Sequence, residues 1–150
     1  KNIRILTELT VNKPRNEVYA FWRRLENLPR FMEHLESVLP IDEKITRWTV
    51  TIPGGLGTVS WKSRLAEEIP NELIRWKSLP GSSVENEGSI HFHEAGQLGT
   101  RIELDLTYRA PLGTPGEAVL KLLNPAFEYL VRSDIRNFKR YVESGEVPAM

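Results

Sequence analysis

The chain has 150 residues, about one domain's length, with 40% hydrophobic and 27% charged side chains, which suits one packed core and excludes a disordered chain. Twenty Lys and Arg cancel twenty Asp and Glu, so the basic excess of a nucleic-acid-binding domain is missing. The absence of cysteine removes disulfides, thiolate metal centres, iron–sulfur clusters and cysteine nucleophiles.

Ile3, Ile5, Thr7, Leu9 and Val11 alternate with mostly polar residues, the period-two signature of a half-buried strand. Asn12-Lys13-Pro14 breaks it, and Pro14 can open a helix, where its missing N–H costs nothing. Val18, Phe21, Trp22 and Leu25 then follow helical spacing until Asn27-Leu28-Pro29. Phe31, Met32 and Leu35 predict a second short helix before Pro40. Strands follow over residues 45–52, 58–69, 73–79, 84–95 and 101–109. Their inward positions are Trp48, Val50 and Ile52; Val59, Trp61, Ser63 and Leu65; Ile74, Trp76 and Ser78; Gly88, Ile90 and Phe92; then Ile102, Leu104, Leu106 and Tyr108. The intervening loops are short, which implies antiparallel neighbours. Gly96-Gln97-Leu98 reads as a three-residue hairpin loop. From Pro115-Gly116-Glu117 onward, Val119, Leu122, Leu123, Phe127, Leu130, Val131, Ile135, Phe138 and Val142 recur at threes and fours. Asn124-Pro125 should bend or interrupt that helix, and Gly145 should end it. The expected class is α+β: one antiparallel sheet of about seven strands, two short helices after strand one, and a long C-terminal helix laid across the sheet.

This order resembles the helix-grip fold of the START-like (SRPBCC) superfamily, and more narrowly its polyketide cyclase/dehydrase and coenzyme Q-binding START families. The motifs that carry the resemblance are Val11-Asn12-Lys13-Pro14 with Val18-Tyr19-Ala20-Phe21-Trp22, Leu28-Pro29-Arg30-Phe31-Met32-Glu33-His34, and Trp61 after the glycine-rich loop. Further along come Asn71-Glu72-Leu73-Ile74-Arg75-Trp76-Lys77-Ser78, Asn86-Glu87-Gly88-Ser89-Ile90-His91-Phe92, Gly99-Thr100-Arg101 with Tyr108, and Asp134-Ile135-Arg136-Asn137-Phe138-Lys139. The resemblance spans nearly the whole chain and implies a curved sheet gripping a helix, with a mostly apolar cavity between them. Alternation then selects the lining: Trp48, Trp61, Ser63, Trp76, Ser78, Phe92, Leu104 and Tyr108 from strands, and Phe127, Leu130, Asp134 and Phe138 from the helix. Each aromatic residue is equally consistent with plain core packing. In hormone receptors of this superfamily two loops close over the ligand, and Pro53–Gly57 and Pro80–Ser83 stand at the equivalent places. Tight turning alone also explains their Gly and Pro content.

Asp134 interrupts an apolar stripe, so it is a candidate general acid or base, with Tyr108 as an alternative proton donor. The plain alternative pairs Asp134 with Arg132, Arg136 or a sheet residue. Glu33-His34 offers a base near the helix–sheet junction, although a surface pair explains it as well. His91 and His93 share the outer strand face, opposite Glu103 and Arg101 for a hairpin centred on Gln97, and without a third protein ligand they specify no metal. No nucleophile elbow, phosphate loop or dinucleotide fingerprint occurs.

The leading expectation is binding or carriage of a hydrophobic small molecule: a lipid, an isoprenoid quinone or a polyketide-like compound. The alternatives are a cyclase or dehydratase acting on a polyketide-like substrate, and an adaptor that uses the fold to dock another protein or a second copy of itself. No cofactor, metal or nucleic acid is expected, and the domain is expected to span residues 1–150. No apolar run reaches the ~20 residues of a spanning helix, which makes cytoplasmic the expected location. The chain opens on Lys1 rather than Met, which leaves room for an upstream segment, and with it a membrane attachment, in the full gene product.

Overall fold

The computed structural model describes residues 2–55, 57–111 and 116–144. Strand β1 (Asn2–Val11) leads into helix α1 (Arg15–Arg23) and a 3-10 helix (Leu25–Arg30). Strands β2 (Leu35–Pro40), β3 (Ile45–Thr51), β4 (Thr58–Ile69), β5 (Leu73–Ser78), β6 (Glu85–Glu94) and β7 (Thr100–Arg109) follow, with a short 3-10 turn (Gly96–Leu98) between the last two. Helices α2 (Glu117–Leu122) and α3 (Pro125–Glu143) end the described chain. The seven strands form one curled antiparallel sheet in the order β1-β7-β6-β5-β4-β3-β2, and the C-terminal helix completes the helix-grip arrangement.

The alternation read from the sequence is the alternation observed. In β7 every even residue from Thr100 to Tyr108 is buried and every odd residue is half-buried. The β6–β7 hairpin has the expected register, with His91 opposite Glu103 and His93 opposite Arg101. The glycine-rich loop before β4 turns through Gly54 and Gly55 at φ 89° and 73°, a conformation that costs other residues energy; its Leu56 lies outside the described residues.

The second short helix needs correcting. Helical backbone covers Leu25–Arg30 rather than Phe31–Leu35, and it is 3-10 with Pro29 inside it. In a 3-10 helix residues i and i+3 eclipse, so Leu25, Leu28 and Phe31 form one buried row. Leu35 instead begins edge strand β2, whose register against β3 shifts between Leu35 and Ser37. That irregularity disrupts period two and hides the strand, and Pro40 is tolerated at its end because an edge position needs no ladder N–H.

Pro125 interrupts the terminal helix rather than bending it. Asn124 caps α3 by accepting a hydrogen bond from the Phe127 N–H at 3.1 Å, and Pro125 occupies the first turn, where no N–H is required. Pro115 and Gly145, expected at the two ends of this segment, lie outside the described residues. The face of α3 turned to the sheet carries Phe127, Val131, Asp134, Ile135, Phe138 and Val142, all buried. Phe138 meets Trp22 of α1 edge-on at 4.8 Å, which ties the two helices together.

Candidate functional site

Three polar side chains from distant parts of the chain meet in the interior. His34 lies just before β2, Tyr108 near the end of β7, and Asp134 in the middle of α3, and each is at most 1% exposed. Asp134 Oδ2 lies 2.6 Å from His34 Nδ1 and accepts the His34 backbone N–H at 2.8 Å. His34 Nε2 lies 3.2 Å from the Tyr108 hydroxyl. With Nδ1 facing a carboxylate, the ring proton belongs on Nδ1, which leaves Nε2 to accept from the phenol. Phe127 packs edge-on against both His34 and Tyr108, at 5.7 and 5.2 Å between ring centres.

Burial, and then the neighbouring Asp134 charge, push the Tyr108 phenol well above its ordinary range. It is therefore a neutral donor at physiological pH, and the imidazole backed by a carboxylate orients its hydroxyl by accepting from it. Tyr19 is raised as well, by burial and by its hydrogen bond to Glu68. Both phenols ionise more readily once unfolded, so the unfolded chain loses protons that the folded chain keeps. Stability should therefore be intact below pH ~10 and fall as pH rises above it. Urea midpoints measured from pH 8 to 11.5 check this. A Tyr108→Phe, Tyr19→Phe double variant should lose stability less steeply over the same range.

The concave face of the sheet carries an aromatic wall. Trp48 stacks against Trp61 at 6.3 Å with planes 18° apart, and against Trp76 at 6.0 Å with planes 23° apart. Trp61 meets Tyr108 edge-on at 6.0 Å. Trp48 Nε1 donates to Thr46 Oγ1 at 2.8 Å, whereas the indole N–H groups of Trp61 and Trp76 and the Ser63 hydroxyl are buried without a partner. Phe92 packs on Tyr19 of α1 at 5.4 Å. Leu104, Phe127 and Phe138 are buried. Leu130 and Ser78 are only half-buried: Leu130 flanks the apolar stripe, and Ser78 Oγ accepts from the Asn86 N–H at 3.0 Å. Sequence reasoning passed over Thr46 and Asn86 as site residues, although each lies two positions from an inward residue of its own strand.

Two expectations change. Asp134 is held by His34 rather than by Arg132 or Arg136; Arg132 pairs with Glu128 and Arg136 bonds Ser133. Of Glu33 and His34 only Glu33 is a surface residue, so the pair divides between solvent and core. A histidine next to an exposed glutamate carries no local mark of burial, and only the pairing of α3 with the start of β2 reveals it. On the outer face, His93 bonds Glu103, and Arg101 lies 3.6 Å from Glu103 and 3.4 Å from Glu8. This is a wet cross-strand network of ordinary strength. Among the described residues no group of three or more His, Cys, Asp or Glu is placed to hold a metal.

A cleft of about 350 Å³ opens at the rim of the sheet between the segment Ser78–Ser82, the start of β6 and Pro111 after β7. Ser78 and Asn86, two inward-facing positions of their strands, are among its lining residues beside the outward Arg64, Lys77 and Glu87. No helix among the described residues is long and apolar enough to cross a membrane.

Comparison with known proteins now bears on this geometry. The crystal structure of DR_A0006 from Deinococcus radiodurans is 38% identical, with a TM-score of 0.72 over 97% of this chain and 98% of that one. A START superfamily protein from Mycobacterium smegmatis shares the fold at 15% identity, with a TM-score of 0.69 over 97% of both chains. The ZhuI aromatase/cyclase from Streptomyces sp. R1128 shares it at 17% identity, with a TM-score of 0.66 over 97% of this chain and 98% of that one. The search of curated proteins finds no match. The family model for polyketide cyclase / dehydrase and lipid transport matches residues 11–139, and with most of its length covered the chain belongs to that family.

Proposed function

We infer that this protein binds a hydrophobic small molecule, a lipid, isoprenoid quinone or polyketide-like compound, between the concave face of the sheet and α3. The observation that carries the reading is the wall in which Trp48 stacks against Trp61 at 6.3 Å and against Trp76 at 6.0 Å, with Tyr108 joining Trp61 to Phe127 of α3. Such a wall offers a broad apolar surface suited to a flat or extended ligand. Phe92, Leu104 and Tyr108 extend it, Leu130 flanks it, and Ser63 and Ser78 add hydroxyls. Family membership supports the same reading. Ser78 lines the rim cleft and belongs to the inward-facing set of its strand, so Ser78→Trp should plug a way in at the rim. Titration with palmitate, a long-chain quinone and 1,8-dihydroxyanthraquinone should show saturable binding of at least one of them by the native protein. Ser78→Trp should weaken that binding by roughly tenfold or more with the circular dichroism spectrum unchanged. Undiminished binding by the plugged variant would remove the chamber from the account.

A second reading, catalysis on a polyketide-like substrate, is favoured by the Tyr108–His34–Asp134 chain. A neutral phenol backed by an imidazole and a carboxylate is a general acid–base arrangement, and such groups contribute typically 10²- to 10⁴-fold to a rate. If the protein cyclises or dehydrates a poly-β-keto substrate, Tyr108→Phe and Asp134→Asn should each lower kcat by about 10²-fold or more. Unchanged turnover in both variants would end this reading and leave binding alone.

A further inference from the structure

A polar row crosses the aromatic wall. Thr46 of β3 lies opposite Ser63 of β4, and Ser63 lies opposite Ser78 of β5. Ser78 Oγ bonds the backbone of Asn86 in β6, and Asn86 lies opposite Tyr108 of β7. Five adjacent strands thus each contribute one hydrogen-bonding residue to a single line across a mostly apolar face. The line ends at the Tyr108 hydroxyl, which continues to His34 and Asp134.

Four polar atoms in or beside the middle of this row are buried and unpartnered: Ser63 Oγ, Asn86 Oδ1, Trp61 Nε1 and Trp76 Nε1. Native interiors leave few such atoms, because each gives up its hydrogen bonds to water without replacing them. Only one other buried side-chain N or O among the described residues shares this condition, Trp22 Nε1 on α1. The clustering on three neighbouring strands is therefore a property of this place and not of the core in general. Their chemistry is specific. An indole N–H only donates, a carboxamide oxygen only accepts, and a hydroxyl does either. A molecule that satisfies them carries oxygen acceptors and at least one donor. Strands β4 to β6 are two inter-strand steps apart, about 10 Å, so those groups are spread along the molecule and not gathered at one end.

We propose that this row is a hydrogen-bonding track that selects, among apolar compounds, those with carbonyl and hydroxyl oxygens distributed along a flat skeleton. The proposal rests on the binding reading above and narrows it. A fatty acid or an isoprenoid chain, polar at one end only, leaves most of the track unpaired and is disfavoured. Two residues of the row, Ser78 and Asn86, also line the rim cleft.

Calorimetric titration with three probes tests this: 1,8-dihydroxyanthraquinone, anthracene-2-carboxylate as a flat molecule polar at one end, and palmitate. The first should bind about tenfold more tightly than either of the others, as expected for one or two hydrogen bonds gained in a dry site. Ser63→Thr and Ser63→Val have the same shape and differ only in the hydroxyl, so packing effects cancel between them. The Val variant should bind dihydroxyanthraquinone about five- to tenfold more weakly than the Thr variant. Without ligand the Val variant should melt at the same temperature as the Thr variant or higher, because it removes a polar atom that has no partner. Equal affinity of the Thr and Val variants, or palmitate binding as tightly as dihydroxyanthraquinone, would overturn the track while leaving the binding reading intact. Failure of the native protein to bind any of the three would overturn both.

Discussion

Replacing Asp134 by Ala should cost about 3–5 kcal/mol of folding stability, because it strands two buried donors that each cost about 1–3 kcal/mol when left unpaired. Asp134 Oδ2 accepts from both the backbone N–H and the ring Nδ1 of His34 at 2.8 and 2.6 Å. Both donors would be stranded at a site 1% exposed, and neither helix α3 nor the segment before β2 can turn its group to water without opening the core. For a chain of this size the loss corresponds to a fall in Tm of roughly 10 °C. Asp134→Asn keeps one acceptor and the same shape, so it should cost less, about 1–3 kcal/mol. The stronger check is a double-mutant cycle. Removing both polar partners, as His34→Leu with Asp134→Leu, should be less damaging than the two single losses added together, because each single variant leaves an unpaired polar group that the double variant lacks. Additive losses would mean that the two side chains do not depend on each other, and a loss under 1 kcal/mol for Asp134→Ala would refute the buried pair.

Gly88→Ala should be the other damaging single change. A Cβ built on Gly88 would sit 2.3 and 2.5 Å from two atoms of the Trp76 ring, far inside contact distance, and residues 76 and 88 are paired across β5 and β6. The indole has little freedom to move, because its other side stacks on Trp48 at 6.0 Å. Overfilling of this kind typically costs 1–3 kcal/mol, and here the strain falls on the aromatic wall, so ligand binding should weaken along with stability. Trp76→Leu removes the obstructing ring. The Gly88→Ala, Trp76→Leu double variant should therefore be more stable than the sum of the two single losses predicts, by ~1 kcal/mol or more. Denaturant midpoints for the four proteins of the cycle decide the matter, and strict additivity would show that Trp76 is not what keeps residue 88 a glycine.

The same glycine illustrates what the sequence makes legible. Gly88 shares the inward period of Ile90 and Phe92, and a glycine inside a strand often marks close approach by a neighbour. The identity of that neighbour depends on the β5–β6 register, which local pattern does not contain. Alternation places Trp48, Trp61, Trp76 and Tyr108 on one face because a strand has a fixed period, and the helical repeat places Phe127, Val131 and Phe138 on another. Strand β2 escapes the same reading because its register shifts at Leu35–Ser37, so no clean alternation survives. His34 escapes for a different reason: its partner lies 100 residues away, and nothing beside it in the chain requires burial. Asp134 stands out as a charge in an apolar stripe, and its burial is confirmed, but its partner is set by how α3 lies over the start of β2. The polar row is hidden in the same way. Alternation picks out Ser63 and Ser78 as inward residues one strand at a time, but their line with Thr46 and Asn86 appears only when the register sets the strands side by side.

The central claim, that the concave face and α3 enclose a site for a small apolar molecule, is tested most directly by native mass spectrometry of freshly purified protein, followed by organic extraction and identification of the released compound. The account predicts a passenger at one equivalent per chain, lost in Ser78→Trp, with a skeleton that carries several oxygens. A protein that arrives empty and takes up none of the quinone, fatty-acid and hydroxyanthraquinone probes would contradict it, and would make the tryptophan wall a packed core and nothing more.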